Sequence, residues 1–386
     1  MGKIWKALSS LWLTVILLTL AGVLVFMGTM AQVKLGLYIV QENYFQSLFV
    51  MWGPQGANWK IPIWPGGYLL GGLLLVNLIT AHVIRFKFTK KKIGIIMVHG
   101  GLIFLLIGQF LTEVYQVESF MALEEGSSKN YSENGRRSEV AIIDVTDPQT
   151  DHVVAIPESM LEPGREIRHP QLPFTVKIHE YALNTEPRLY GSELRFISTN
   201  QAVKMNDRNI PAATVEIKAE DGSKGTWKIS NWLAEDRLVG LLLTNYSSRL
   251  PQGFSEPVQF EHKGRRYEMS MRPERYYKPF QLHLLDFTHE RYAGTDTPKN
   301  FSSRVRLVRP ETNEDREILI YMNNPLRYWG ETYYQGGFEP GDTVSILQVV
   351  RNPSWLTPYI SCVLVGVGLL VQFLSHLVAF AKKRSV

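Results

Sequence analysis

Three of the chain's nine histidines lie in strongly apolar surroundings, and they are the residues whose types and positions can do chemistry: His82, His99 and His376. His99 is the most conspicuous. It stands two helical turns into residues 91–110, KKIGIIMVHGGLIFLLIGQF, a run apolar enough to cross a bilayer. An ionisable side chain at such depth costs roughly 2.5–3.5 kcal/mol unless it is neutral, paired or bound to something. Two readings follow. A neutral imidazole hydrogen-bonds to a neighbouring helix, or it is held ready for a ligand.

The glycines of the same run bear on that choice. Gly94, Gly101 and Gly108 recur every seven residues, and at 100° per residue a seven-residue step drifts only about 20°, so they form one stripe. Small residues in a stripe admit a second helix at close range. His99 lies about 160° around the helix from that stripe, on the side shared by Ile95, Ile96, Leu102, Ile103, Leu106 and Phe110. The expectation is that it faces lipid, a second subunit or a ligand rather than the tightest packing seam.

His82 and His376 fall near the same end of their own apolar runs and are the further candidates. Imidazole nitrogen is a common axial ligand of haem iron. However, Arg85 and Lys382 follow them closely, placing both near the water interface, where histidine is inexpensive. The remaining histidines, His152, His169, His179, His262, His283 and His289, show no HExxH or other metal spacing. No Ser-His-Asp arrangement, P-loop or glycine-rich dinucleotide signature is present, and no catalytic acid, base or nucleophile stands out.

The elements that must position these residues are four predicted membrane spans, Leu8 to Met30, Gly66 to Ile84, Ile93 to Thr112 and Leu356 to Phe380, each near the length of about 20 residues that a bilayer core demands. The run Leu11 to Phe26 is long for a signal-peptide core, so the first span is expected to be retained. Lys3 and Lys6, then Arg85, Lys87, Lys90, Lys91 and Lys92, then Lys382, Lys383 and Arg384 all fall on one side of a four-span topology. Positive charges next to spans mark the cytoplasmic side. Both termini are therefore expected in the cytoplasm, with residues 31–65 and 113–354 outside. Setting those ten charges aside turns the net +5 of the chain into about −5 for the rest, which excludes a basic nucleic-acid-binding surface.

The expected domains are 1–31 (N-terminus and first span), 32–65 (an aromatic loop), 66–112 (two spans and their basic link), 113–354 (a large outer domain) and 355–386 (last span and basic tail). In the loop, Tyr44 to Trp52, with Trp59 and Trp64, reads as an interfacial helix anchoring the fold at the bilayer surface. The outer domain alternates apolar and polar residues between turn residues. Examples are Glu139–Val145 turning into His152–Ile156, Ala213–Lys218 turning at Asp221-Gly222-Ser223 into Thr226–Ile229, and Val258–Glu261 turning at Lys263-Gly264 into Tyr267–Met271. Strands continue through Phe280–Phe287, Ser303–Val308, Glu317–Tyr321, Thr332–Gln335 and Val344–Val350, and no amphipathic helix of three turns is expected among them. The fold class is thus an α + β membrane protein: four transmembrane helices and a β-rich, sandwich or barrel-like extracytoplasmic domain between helices three and four. The one cysteine, Cys362, lies in the last span. The outer domain therefore has no disulfide, CxxC pair or CxxCH haem-attachment site.

These pieces together resemble the ResB (CcsB) proteins of system II cytochrome c biogenesis. The resemblance runs through Gly28-Thr29-Met30-Ala31-Gln32, Asn77-Leu78, His99 with Ile107-Gly108, and Met121 to Gly126. It continues through Leu285-Asp286-Phe287, Tyr292, Ser303, Met322-Asn323-Asn324-Pro325-Leu326-Arg327-Tyr328-Trp329-Gly330, Tyr333-Tyr334-Gln335, Leu347-Gln348-Val349 and Asn352-Pro353. It implies a subunit of a cytochrome c synthase in the cytoplasmic membrane that binds haem b and, with a CcsA (ResC)-type partner, carries it across for attachment to apocytochrome c, thiol-reducing proteins being further partners. It also implies that His99 supplies one axial ligand of a membrane haem, the partner supplying the other. The partner's tryptophan-rich haem motif is absent from this sequence. Two other readings stand beside it: an assembly scaffold or apocytochrome chaperone that binds no haem, and a membrane-anchored sensor or transporter accessory.

Overall fold

The computed structural model describes residues 2–54, 59–85, 89, 92–191, 193–202, 207–220, 222–246, 250, 253–295, 298–339 and 343–384. Lys87, Lys90 and Lys91 of the basic link, and Asp221 of one expected turn, lie outside the described residues. Seven α-helices occur among the described residues: α1 (Lys3–Leu8), α2 (Leu11–Leu35), α3 (Leu37–Val40), α4 (Gly67–Arg85), α5 (Ile93–Tyr115), α6 (Asp236–Tyr246) and α7 (Thr357–Arg384). Four of them, α2, α4, α5 and α7, are long and apolar enough to cross a membrane. The chain divides into two compact units, one made chiefly of residues 1–117 and 351–386 and the other of residues 118–202 and 206–350.

In the helical unit, the first span starts three residues later than the sequence suggests and runs five further. Ser9 closes α1 through its N–H to Trp5 O, and α2 begins after Ser10, ending where Gly36 takes φ 78°. Such a break leaves helix-end carbonyls without intrahelical partners, a serious cost in an apolar medium. Asn77 of α4 supplies Leu8 O with a partner and adds a second donor to Ser10 O, which already accepts from Thr14 N–H. Its Nδ2 donates to Leu8 O (2.6 Å) and Ser10 O (3.1 Å), its Oδ1 accepts from Thr14 Oγ1 (2.6 Å), and Thr80 Oγ1 also donates to Leu8 O.

Residues 44–52 do not form the expected interfacial helix. Helical backbone ends in a π-turn at Gln41–Phe45, and Phe49–Trp52 pairs antiparallel with Ile61–Pro65. Val50, Ile61 and Ile63, with Phe49, Trp52 and Trp64, are residue types that favour extended backbone. The ring of Phe45 lies where a Cβ at Gly28 would be, 2.9 Å away, and Leu17, Leu24, Val50 and Leu70 close the small core beside it.

The glycine stripe of α5 meets α7. A Cβ at Gly94 would lie 2.6 Å from Gly368 O, one at Gly101 2.8 Å from Val365 Cγ2, and one at Gly108 2.1 Å from Thr357 Cγ2. All three glycines are buried. These distances are below van der Waals contact, so only glycine permits the approach.

The second unit is built on one 27-residue strand, Arg265–Arg291. Its first half, with Ser128–Asp144 and His152–Pro157, packs Val140, Ile142, Met269 and Met271 against Val176, Ile178, Val215 and Ile217 of a four-stranded sheet, giving a sandwich core. Its second half turns Phe280, Leu282 and Leu284 into another core with Val305, Leu307, Ile320, Leu347 and Val349. A register shift between Leu284 and Asp286 then changes the parity, so that Phe287 also points inward. The ends of this ten-stranded sheet, Glu314–Tyr321 and the hairpin Leu326–Phe338, come back together through the Tyr321–Asn324 bridge, and the sheet is nearly a closed barrel.

The strand pairs foreseen at 139–156, 213–229 and 258–271 occur as antiparallel neighbours, the last pairing Val258–His262 with Arg265–Met269. The expectation that no three-turn helix interrupts them is corrected by α6, which buries Leu238 and Leu242 four residues apart. Exposed Leu241 and Leu243, with Gly240 between the buried pair, hide its periodicity.

One prediction tests the α5–α7 contact. Gly101→Leu overpacks it and lowers stability by about 1–3 kcal/mol. Gly100→Leu, at a position with nothing within 4 Å of a built Cβ, leaves the melting temperature of the detergent-solubilised chain near the wild-type value.

Candidate functional site

Because α7 covers the glycine face of α5, His99 is turned to the opposite side. There it meets α4: His99 Nδ1 lies 2.8 Å from His82 Nε2, with the rings edge to face at 4.5 Å and 85°. His82 Nδ1 lies 2.9 Å from Leu78 O, one turn earlier on its own helix.

The protons of this dyad follow from its acceptor. A carbonyl oxygen only accepts, so His82 Nδ1 carries a hydrogen and donates it to Leu78 O. Neutral His82 then has its lone pair on Nε2, which accepts from His99 Nδ1–H. In neutral His99 the lone pair is therefore on Nε2. Each hydrogen bond offsets part of the cost of placing an imidazole in an apolar span. In this tautomer Nε2 is the basic atom of the His99 ring.

His376 belongs elsewhere. It is exposed on α7, where Gln372 Nε2 donates to its Nε2 at 2.7 Å, and α7 lies against the glycine side of α5. The structure thus joins two of the three sequence candidates, His82 and His99, and gives His376 a partner on its own helix. The role of His82 as the partner of His99 was not singled out from sequence, although the shared depth of two antiparallel neighbours carried the signal. Among the described residues, no three His, Cys, Asp or Glu side chains gather in a metal-binding cluster.

In the β unit, the stretch Met322–Gln335 forms a compact hairpin. Leu326–Tyr328 pairs with Glu331–Tyr333 across Trp329-Gly330, both with positive φ (51° and 77°). That is the geometry of a tight type I′ turn, demanding for a tryptophan. Trp329 is half exposed at the tip, and its ring lies 6.4 Å from that of buried Phe280. Behind the turn, Glu331 is enclosed: Lys278 Nζ contacts its Oε1 at 2.5 Å, and Tyr333 donates its hydroxyl to Oε2 at 2.7 Å. Burial, reinforced by the Glu331 carboxylate beside it, pushes the Tyr333 phenol up, so the phenol keeps its proton and acts as donor. Buried Ser303 and Ser345 form a second polar cluster with half-buried Gln335, within 3.0 Å of one another.

The family comparison falls on this unit. The profile of the ResB-like family matches residues 250–346, from just before the strand Val258–His262 to the start of Val344–Arg351. Over 107 residues the chain is 31% identical to "Protein NrfI" of Wolinella succinogenes, a stretch that is 28% of this chain and 12% of that protein. The family match does not extend to α4 or α5.

The enclosed Lys278–Glu331 pair yields a clear expectation. Lys278→Met strands the carboxylate and destabilises the β unit by about 3–5 kcal/mol. Adding Glu331→Gln, which removes the charge yet still accepts from Tyr333, restores most of the loss. Pulse proteolysis of the full chain across a urea series measures both.

Proposed function

From the match of residues 250–346 to the profile of the ResB-like family, we propose that this chain is a membrane subunit for cytochrome c biogenesis, a system II synthase component that binds haem and helps pass it to apocytochrome c. The single observation that carries the haem-binding half is the His82–His99 dyad, whose hydrogen bonds set the lone pair of His99 on Nε2. One or two imidazoles are too few to hold a bare transition metal ion. Haem brings four nitrogens of its own and asks the protein for one or two, so the residues present fit that group as cargo and ligand.

In this reading α2, α4, α5 and α7 span the cytoplasmic membrane. Lys382, Lys383 and Arg384 at the end of α7, with Lys6 and Lys92, hold the helix ends at the cytoplasmic face. The β unit lies outside. The α5–α7 contact fixes the rotation of α5, and His99 then presents Nε2 toward a CcsA/ResC-type partner, which supplies the second ligand. The β unit, without cysteine, guides or covers the acceptor apocytochrome and leaves thiol reduction to other proteins.

A second reading rests on the same dyad. His99 already has a hydrogen-bonding partner inside the chain, which favours an assembly scaffold whose membrane histidine is structural and which binds no haem. The two separate by spectrum. On the haem reading, the chain co-produced with its CcsA-type partner purifies with haem, and His99→Ala loses it or changes its absorption bands. Unchanged haem content and bands in His99→Ala support the scaffold.

A further inference from the structure

The dyad contains a histidine that the haem reading leaves without a role. Three ways of using His82 are open to chemistry: as the ligand itself, as a second ligand to the same iron, or as the group that orients His99. The geometry separates them. His82 has its Nδ1 hydrogen on Leu78 O at 2.9 Å and its Nε2 lone pair on His99 Nδ1 at 2.8 Å, so neither nitrogen can bind iron without giving up one of these bonds. Two imidazoles in direct contact, with ring centroids 4.5 Å apart, also leave no space for an iron between them.

We infer that His82 is a positioning residue: it fixes the tautomer and ring orientation of His99, so that Nε2 of His99 is the ligand atom, and it strengthens that atom as a donor. This rests on the reading that His99 ligates haem. The physical basis is general. An imidazole whose N–H donates to a good acceptor is the stronger base at its other nitrogen, and such partners of metal-bound histidines typically change affinity by about 10–100-fold when removed. Stronger donation favours ferric over ferrous iron, so the hydrogen bond also lowers the midpoint potential of the bound haem; axial-ligand basicity and outer hydrogen bonds are among the levers that set it.

The sequence of contacts makes the device directional. Leu78 O lies one helical turn before His82 on α4, so the backbone of that helix sets the first hydrogen bond. Opposite it, the packing of Gly94, Gly101 and Gly108 on α7 sets the rotation of α5. His99 is held from both sides, with its ring turned by α5 and its proton placed by α4.

The test uses the full chain co-produced with the CcsA-type partner, titrated with haem b in detergent and then poised through a redox titration. His82→Leu is expected to weaken haem binding about 10–100-fold and to raise the midpoint potential. His82→Gln, whose Oε1 can accept from His99 Nδ1, is expected to restore both toward the wild type. His99→Ala is expected to abolish the axial-ligand spectrum. Wild-type affinity and potential in His82→Leu, with haem still lost in His99→Ala, overturn the positioning role and leave the ligand reading standing. An unaltered spectrum in His99→Ala overturns the ligand reading itself. Should His82→Leu fail to fold, nitrogen-15 histidine NMR of the wild-type chain in bilayers decides the matter: a hydrogen on Nδ1 of His99 supports the inference, and one on Nε2 of neutral His99 overturns it.

Discussion

The close approach of α5 to α7 at Gly94, Gly101 and Gly108 is the constraint on which the membrane site depends. Backbone oxygen and side-chain atoms of α7 occupy the space that any Cβ there would need, so α5 has one permitted rotation against its neighbour. That rotation carries His99 to the far side, where α4 brings His82 to within hydrogen-bonding distance. A helix that packed through larger residues would have more freedom to turn, and the position of the imidazole would be correspondingly loose. Asn77 does related work between α4 and the start of α2. By donating to Leu8 O and Ser10 O at the Ser9–Ser10 break, it ties the helix that carries His82 to α2.

The residues that carry the family resemblance in the β unit prove to be largely those that close the barrel. Met121, Leu123, Phe287, Leu326, Tyr333, Leu347 and Val349 share one buried core, while Ser303 and Gln335 meet in its polar cluster. Leu285-Asp286-Phe287 is the bulge that redirects the long strand. Much of this pattern is therefore a description of packing. Tyr292, Met322, Trp329 and Tyr334 are exposed instead; Trp329 stands at a turn whose backbone favours glycine or asparagine, and its ring contact with Phe280 gives it a structural partner.

How much of this could be read from the sequence differs by element. The four apolar runs, the glycine stripe and the alternating strand pairs were legible because each depends on a period that a single element displays. The break after Ser9 was not, because the groups that make it tolerable come from Asn77 and Thr80, some seventy residues away in the chain. Nor was the hairpin Thr185–Tyr190 with Glu193–Ser198, whose residues are mostly exposed and leave no clean apolar face. α6 was hidden by two exposed leucines, and Phe49–Trp52 passed for part of a helix because aromatic residues suit an interface in either conformation. At the site, sequence placed His82 and His99 at one depth, but the hydrogen bond that gives them distinct roles is a tertiary contact.

The central claim is that Nε2 of His99 binds iron, and chemical replacement of that one ring tests it most directly. In the complex with the proposed CcsA-type partner, His99→Gly removes the imidazole while sparing the backbone. Added free imidazole should then restore the low-spin haem absorption spectrum in a saturable manner. A His99→Gly complex that keeps the wild-type haem spectrum without added imidazole would contradict the account.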